Sequence, residues 1–166
     1  RANVSNDTGF TAVHVACVNR NGAVAGRLLA AGALPNAASR NGETVLMTCA
    51  RTGAADGVRA LLSRGARVND AETAHGQTAL MWAASQGHAA VVKLLTDAKA
   101  DVGARSRTYA QTVVNEQTQR TGREELNYDV TRGGMTALLF TARTGDAESA
   151  RVLIEESAVV VLRAEA

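Results

Sequence analysis

The amino-acid sequence predicts an all-α solenoid of helix-turn-helix repeats, and three observations point to it. A short Gly-x-Thr motif recurs four times along the 166 residues. Aromatic residues make up only 3% of the chain, and a single proline, Pro35, stands against 15 glycines. Because strands favour aromatic and β-branched residues, this composition disfavours an all-β sandwich. A core filled with Ala, Leu and Val is thin, and it suits short helices that pack closely together.

Two motifs recur in register, which indicates internal repeats. The glycines of the first motif lie 33, 34 and 58 residues apart, and a Leu-Leu or Leu-Ile pair follows each copy. The first motif occupies residues 9–16, 42–49, 76–83 and 134–141. The second occupies residues 28–29, 61–62, 94–95 and 153–154. Since the second motif follows the first each time, the sequence predicts four repeats.

Each repeat is predicted to begin with a helix that starts after a threonine. A threonine side chain at this place accepts a hydrogen bond from the backbone of the first turn. The four threonines are Thr11, Thr44, Thr78 and Thr136. Apolar residues then recur at helical spacing, and Gly53, Gly87 and Gly145 are predicted to end these helices. Helices of about 8–10 residues do not hold alone in water, so we expect stacking on neighbouring repeats to stabilise them.

A second helix is predicted to carry the paired leucines inward, and a turn is predicted to follow it. Gly32 and Gly65 stand in this turn in repeats one and two, and Lys99 and Ser157 stand there in repeats three and four. A residue other than glycine is strained at that place if its φ is positive. The predicted turns are residues 31–33, 64–66, 98–100 and 156–158.

The 33-residue period, the Gly-x-Thr-x-Leu start and the Leu-Leu-x-x-Gly-Ala end resemble the ankyrin repeat. The resemblance covers residues 9–103 and 134–158. It implies stacked helix pairs with loops that project as fingers beside a concave, partner-binding face. It also implies that a histidine, kept here only at His14, joins neighbouring repeats by hydrogen bonds. In the other repeats packing is expected to hold the junctions instead, through Met47, Met81 and Leu139.

The whole chain, residues 1–166, is predicted to be a single ankyrin-repeat domain. The predicted repeats span about 7–39, 40–73, 74–103 and 132–161, with an insertion at about 104–131. Trp82 and Phe140 occupy equivalent helical positions. We predict that both fill the core between repeats three and four.

The insertion between repeats three and four is predicted to be a β-hairpin. It adds about 25 residues, since the glycine spacing there is 58 instead of 33. Apolar and polar residues alternate before residue 131, and residues 109–115 are rich in strand-forming types, which predicts strands near 108–115 and 125–131. Loops of this length are commonly functional. A tolerated surface insertion is the alternative, because the cost of loop closure rises slowly with length.

The resemblance to the ankyrin repeat implies that the partner-binding face is formed by residues around each repeat glycine and at the end of each first helix. Phe10 and Met135 are apolar at positions expected to be exposed, and such side chains among Arg and polar groups are typical of an interface. The insertion adds two tyrosine rings. The candidate partner-binding residues are Phe10, Val18, Asn19, Arg40, Glu43, Arg51, His75, Gln77, Ser85, Gln86, Tyr109, Tyr128, Met135 and Arg143.

No motif in the sequence predicts an enzyme, a cofactor or a metal site. His14, His75 and His88 lie 61 and 13 residues apart, which matches no zinc pattern. Cys17 and Cys49 lie in apolar helical surroundings and are predicted to be small core residues without a disulfide. With a net charge of +2 and no strongly basic face, we expect no nucleic-acid partner. No apolar run approaches the roughly 18–20 residues that cross a membrane.

Two functions of different class stay open. The first is a non-catalytic protein-interaction module that holds its partner along the concave face and the fingers. The second is a structural subunit whose repeats stack end to end between chains. Residues 2–4 look like the tail of an earlier repeat and residues 159–162 are apolar, so neither end has the polar cap of an isolated array. Because the chain starts at Arg1 without Met, a fragment or a processed form is expected.

The composition is similar, more loosely, to that of alanine- and arginine-rich ankyrin arrays of bacterial proteins. Sixteen arginines stand against two lysines, Lys93 and Lys99. Some proteins of that group are exported. A cytoplasmic and an exported location therefore both stay open, and the protein partner could equally be a further copy of the chain.

Overall fold

The protein is a stack of helix pairs interrupted by one β-hairpin. A computed structural model describes residues 3–113 and 128–164, with side chains over 3–111 and 130–157. The elements are α1 (Ala12–Val18), α2 (Gly22–Ala30), α3 (Val45–Thr52), α4 (Ala55–Leu62), α5 (Ala79–Ser85), α6 (Ala89–Asp97), β1 (Tyr109–Val113), β2 (Tyr128–Arg132), α7 (Ala137–Thr144) and α8 (Ala147–Ala164). This order confirms the predicted helical array with a hairpin insertion.

The four predicted threonines stand at the N-termini of the first helices. The hydroxyl of Thr44 accepts a hydrogen bond from the backbone nitrogen of Met47 at 3.3 Å. Thr78 and Thr136 accept the equivalent bonds at 3.4 Å. An N-cap hydroxyl satisfies a backbone donor that has no partner inside the helix. The threonine hydroxyl therefore caps the first helix in repeats two to four. In repeat one the Thr11 hydroxyl does not make the predicted bond to the backbone of the first turn, and it lies 3.0 Å from the Nδ1 atom of His14.

Two positive-φ positions are held by residues that are not glycine. Arg20 has a φ of 53° after α1, where Gly53 and Gly145 end the equivalent helices of repeats two and four. Lys99 has a φ of 67° after α6, at a turn position that was predicted to be strained if its φ is positive. L-residues adopt this region at a cost, so stacking of the neighbouring repeats must hold both turns in place.

Helices stack in two layers, one of first helices and one of second helices. The first layer runs α1, α3, α5, α7, and the second runs α2, α4, α6, α8. The buried core combines small residues with larger aliphatic side chains such as Leu46, Leu61 and Leu80. The fully buried small residues include Cys17, Cys49, Ala50, Ala83 and Ala84. Short side chains let helices approach closely, which explains why the core needs few aromatic rings.

The hairpin pairs β1 with β2 in antiparallel register. Tyr109 pairs with Arg132 at its base and Val113 with Tyr128 toward its tip. At the base, Gly133 sits so close to the backbone of Arg107 that a side chain would not fit. The predicted strands extend beyond these bounds into residues 114–127, which lie outside the described residues.

An asparagine ladder ties each loop to the repeat that follows it. The Asn36 amide donates to the Gly65 carbonyl at 3.3 Å and accepts from the Arg67 backbone nitrogen at 2.7 Å. The other two rungs, 33 residues away on either side, are Asn3 with Gly32 and Leu34, and Asn69 with Lys99 and Asp101. The next ladder position is occupied by Gly103, which lies four residues after the turn residue Lys99, just as Asn69 lies four residues after Gly65. Because glycine has no amide side chain, the ladder ends before repeat four.

Cys17 and Cys49 form a disulfide between α1 and α3, so the prediction of two unpaired core thiols was wrong. Both cysteines are buried, and their Cα atoms lie 4.7 Å apart. They are 32 residues apart in sequence, one less than the repeat period. The repeat register therefore places them on facing sides of two stacked helices, which a reading of each local context alone does not reveal.

The predicted turn at residues 156–158 is also wrong, because α8 continues through it to Ala164. Ser157 stands where earlier repeats have a turn residue, and its hydroxyl donates to the Leu153 carbonyl at 2.7 Å. Repeat three makes the equivalent turn with Lys99 at positive φ, whereas at Ser157 the helix continues. None of the helices in the described part of the chain has the length and apolar character needed to span a membrane.

His14 is buried at the third position of α1. Its Nδ1 accepts a hydrogen bond from the Thr11 backbone nitrogen at 3.1 Å, so this contact lies within repeat one. Burial lowers the pKa of His14 below 6.5, against the opposite influence of the Glu43 backbone and carboxylate. Met47 takes the same place in repeat two, where its sulfur accepts from the Thr44 nitrogen at 3.4 Å.

Candidate partner-binding surface

Three projecting loops, here called fingers one to three, precede α1, α3 and α5. Each is closed by an antiparallel bridge, and the fingers span residues 5–11, 38–44 and 71–78. Backbone hydrogen bonds connect them in series: Arg40 donates to the Thr8 carbonyl at 3.0 Å, and Thr73 to the Asn41 carbonyl at 2.9 Å. Arg107 continues the series by donating to the His75 carbonyl at 2.6 Å. The segment before β1 is thus aligned as a fourth member of the row.

Glu72 fixes the shape of finger three from inside. This carboxylate is only 4% exposed, and it accepts hydrogen bonds from the backbone nitrogens of Ala74, His75 and Gln77 at 2.6, 2.8 and 3.0 Å. A buried carboxylate is favourable only when such donors surround it. These bonds fix the backbone that carries the exposed His75 and the half-buried Gln77.

A groove opens where finger three, the hairpin and repeat four meet. Its cavity volume is about 350 Å³. We call it the hairpin groove, and it is lined by His75, Gln77, Ser106, Arg107, Tyr109, Gln111, Arg132, Gly133, Met135, Phe140 and Arg143. Five of these, namely His75, Gln77, Tyr109, Met135 and Arg143, were predicted from the sequence as partner-binding residues. They come from three segments that are far apart in the chain.

Aromatic and charged side chains both line the hairpin groove. The rings of His75 and Tyr109 lie edge to face with centroids 6.4 Å apart. The guanidinium carbon of Arg143 lies 5.0 Å from the centre of the Phe140 ring, which is a cation–π distance. Phe140 is buried beneath it, so one face of the groove has an apolar floor.

The hairpin groove carries positive charge without a matching carboxylate among its described lining residues. Its three arginines, Arg107, Arg132 and Arg143, are all exposed. None of them takes part in an ion pair within the described residues. Glu72 reaches within 4.0 Å of His75 Nδ1, but its oxygens are occupied by backbone donors.

A family model for ankyrin repeats, with three copies, matches residues 1–72 and 27–106. These two ranges together cover more than half of the 166-residue chain. The chain belongs to the ankyrin repeat family. No curated protein matches it. The fourth ankyrin repeat lies beyond the matched residues, and it is identified by the Thr136 cap and by the packing of α7 and α8 on repeat three.

In the first two ankyrin repeats, two of the predicted residues border a separate cavity. Phe10 and Arg40 border a space of about 300 Å³ between fingers one and two, together with Thr8, Ser39 and Asn41. The expectation that Phe10 and Met135 are exposed was wrong, because both are half-buried. The ring of Phe10 packs 4.8 Å from that of His14, and Met135 packs against the core.

A charged chain of contacts joins ankyrin repeats two and three. Arg51 pairs with Glu43 at 3.1 Å, and its guanidinium carbon lies 5.8 Å from the centre of the Trp82 ring. Trp82 is half-buried, packs against the core and also contacts repeat two through Arg51. Phe140 is buried in the core as predicted. Beside Trp82, Ser85 donates to its carbonyl at 2.9 Å and Gln86 donates to Ser85 at 3.4 Å.

Two other predicted residues, Val18 and Asn19, lie away from the hairpin groove. Val18 is 48% exposed at the end of α1. Asn19 lines an apolar cavity of about 440 Å³ on the outer face of the first repeat, and we call this the end groove. It is formed by Ala12, Val15, Ala16, Asn19, Asn21, Val24 and Leu28. Tyr128 lies at the start of β2, and its side chain lies outside the described residues.

Some groove residues were missing from the set predicted by sequence reasoning, and they share a cause. Ser106, Arg107 and Gln111 lie on the approach to β1 or within it, where no ankyrin pattern applies. Arg107 does carry a signal, since it continues the register of Arg40 and Thr73 in the finger row. Among the described residues no group of His, Cys, Asp and Glu is arranged to hold a metal ion.

Proposed function

We propose that this ankyrin array binds a protein partner along its fingers and in the hairpin groove. Ankyrin repeats are generally protein–protein interaction modules, and they are typically non-catalytic. The proposal assigns no catalytic step to the chain. The observation that carries it is the groove itself, where five predicted residues from finger three, the hairpin and repeat four line one cavity.

The chemistry of the groove supports this proposal. Interfaces are enriched in Tyr, Phe, Met and Arg, and the groove presents Tyr109, Phe140, Met135 and three arginines. The scaffold around it is braced by the finger row and by the hydrogen bonds of Glu72. A rigid site loses little conformational entropy when a partner binds.

A capture experiment with matched variants tests the proposal. The intact chain, a groove variant Tyr109→Ala/Gln77→Ala and a control variant Arg27→Ala/Arg59→Ala are immobilised and incubated with cell extract. Arg27 and Arg59 are exposed on α2 and α4, away from the groove. We expect quantitative mass spectrometry to show proteins that the groove variant loses and the control keeps. Equal capture by all three baits would contradict the proposal.

Removal of the hairpin gives an independent version of the same test. Because Tyr109 pairs with Arg132 at its base, residues 109–132 can be replaced by a short glycine linker without separating the flanking chain ends. Circular dichroism checks that the helices remain. If the chain without the hairpin captures the same proteins, the insertion is not part of the binding surface.

End-to-end assembly between chains is a second candidate, favoured by apolar surface at both ends of the array. In the end groove Val15 is 53% exposed and Val24 42% exposed. At the other end Leu139 is 47% exposed and Ile154 is 56% exposed. Met47 and Met81, which take the position of Leu139 in repeats two and three, are buried. Light scattering over a concentration series, with Val15→Lys/Val24→Lys as the disrupting variant, tests this function. A constant monomer mass at high concentration would exclude it.

A further inference from the structure

We propose that the hairpin groove recognises an acidic segment of a protein partner, with glutamate or aspartate side chains bound by Arg107, Arg132 and Arg143. This inference rests on the proposed function and names the chemistry of the partner. It concerns the groove alone and not the rest of the finger row.

The first argument is the local concentration of unmatched positive charge. The whole chain has 18 basic and 16 acidic residues and a net charge of only +2, so a general excess of arginine does not explain the groove. Three exposed arginines converge there, and no Asp or Glu is among its described lining residues. Like charges brought together in a concave site repel one another, and a bound anion removes that repulsion.

The second argument comes from the contrast with Arg51. This arginine also belongs to the predicted partner-binding face, but it is paired with Glu43 at 3.1 Å and lies over Trp82. Thr48 donates a further hydrogen bond to the same Glu43 oxygen at 2.9 Å. Where repeat two meets repeat three, the charge of Arg51 is therefore neutralised by a carboxylate of the array itself. In the hairpin groove no carboxylate is among the described lining residues.

The third argument is geometry that suits a carboxylate on a peptide. Guanidinium groups bind carboxylates through two parallel hydrogen bonds, which fixes orientation as well as charge. Gln77 and Gln111 add amide donors on the same lining, and the Phe140 and Met135 side chains provide an apolar floor. The combination fits an extended segment in which acidic and apolar side chains alternate.

Fluorescence anisotropy with defined peptides tests this inference on the full chain. The probe is a short fluorescein-labelled peptide of alternating glutamate and leucine. Peptides of equal length with glutamine, lysine or phosphoserine in place of glutamate serve as comparison probes. We expect the glutamate peptide to bind with a dissociation constant below about 1 mM and to weaken as salt rises, because screening shortens the reach of exposed charges.

Paired charge variants separate the groove from the overall charge. Arg107→Gln/Arg132→Gln and Arg27→Gln/Arg59→Gln each remove two positive charges, but only the first pair lies in the groove. The first variant should weaken binding of the glutamate peptide by about tenfold or more, since charge-assisted hydrogen bonds are the stronger kind. The second should change it by less than about twofold, as expected of exposed charges away from the contact.

Three results would overturn the inference. One is no binding of the glutamate peptide, the second is equal weakening by both variants, and the third is binding of the phosphoserine peptide alone. The proposed function is judged separately by the capture experiment. If captured proteins depend on Tyr109 and Gln77 while the glutamate peptide does not bind, the array is an interaction module without acidic specificity.

Discussion

Repeats one to three differ from the junction between repeats three and four in how they are held together. The first three share a disulfide, the asparagine ladder and two side-chain bonds to neighbouring carbonyls, Thr52 to Cys17 at 2.9 Å and His88 to Arg51 at 3.2 Å. The last junction has Gly103 at the ladder position and carries the hairpin. Its described polar contacts concentrate around Ser106, Gly134 and Met135 at the hairpin base.

This difference separates a braced scaffold from a region shaped for recognition. In the inner repeats the side chains contact other side chains of the array. Glu43 pairs with Arg51, and Met47 is buried. At the last junction the hairpin groove leaves arginines and rings exposed. In repeat arrays each unit contacts only its neighbours, so one junction can change without loss of the others.

Reduction of the Cys17–Cys49 disulfide is expected to have the largest effect on the scaffold. The bond closes a loop with a sequence separation of 32 residues, for which chain entropy predicts about 4 kcal/mol of stabilisation. Urea unfolding followed by circular dichroism, with and without dithiothreitol, measures the difference. A Cys17→Ala/Cys49→Ala variant serves as the control, because its midpoint should not respond to reductant. An intact chain that is equally insensitive would show that the thiols are not joined.

Truncation of equivalent residues in an inner and a terminal repeat sharpens the comparison. Met47 is 1% exposed and Leu139 is 47% exposed at the same repeat position. Met47→Ala should lower the free energy of unfolding by about 3 kcal/mol, because it leaves a cavity. Leu139→Ala should lower it by less than about 1 kcal/mol, since its neighbours are largely solvent. Equal losses in urea unfolding would mean that a further layer covers the terminal repeat.

The asparagine ladder predicts a smaller effect. Asn36→Ala removes two hydrogen bonds to repeat two and should cost about 1 kcal/mol in urea unfolding. Gly103→Asn restores the missing side chain but should add no stability, because α8 continues through residues 156–158 and no turn is there to bind. Stabilisation by Gly103→Asn would indicate that repeat four adopts the turn of the earlier repeats.

The pH dependence of stability is expected to reside in repeat one. Burial lowers the pKa of His14, so the unfolded chain takes up this proton more readily than the folded chain. The stability that neutral, buried His14 contributes to the fold is fully present above pH 6.5, the ordinary pKa of histidine. It is lost as the pH falls from 6.5 toward the lowered pKa of His14. Unfolding midpoints at a series of pH values should therefore fall on acidification in that window. His14→Gln should flatten the profile in that window, and an unaltered profile in this variant would contradict the prediction.

The sequence predicts the repeated parts of the fold well because their signals recur. A threonine marks the start of each first helix, and this local signal recurs four times at matching positions of the repeat. The four copies together identify the first helices. The asparagine ladder carries the same period, but its partners lie about 30 residues away and become visible only in three dimensions. The Cys17–Cys49 bond was missed for the same reason, since each cysteine alone resembles an ordinary core residue.

The candidate site is predictable only in part, because it is formed where the repeat pattern stops. His75, Gln77, Met135 and Arg143 follow from their places in repeats three and four. Arg107 and Gln111 do not, since their positions depend on how the hairpin base meets finger three. The predicted end of the last helix was wrong because the turn at residues 156–158 was assigned by its register with the earlier repeats, whereas α8 continues to Ala164.

Hydrogen–deuterium exchange of the chain with a protein captured by it tests the central claim most directly. That claim is that the hairpin groove is where the partner binds. We expect amide protection on binding within finger three, residues 105–113 and residues 128–144, with no change in α2 and α4. Protection confined to α2 and α4, or to the end groove, with the hairpin groove unchanged, would contradict the claim.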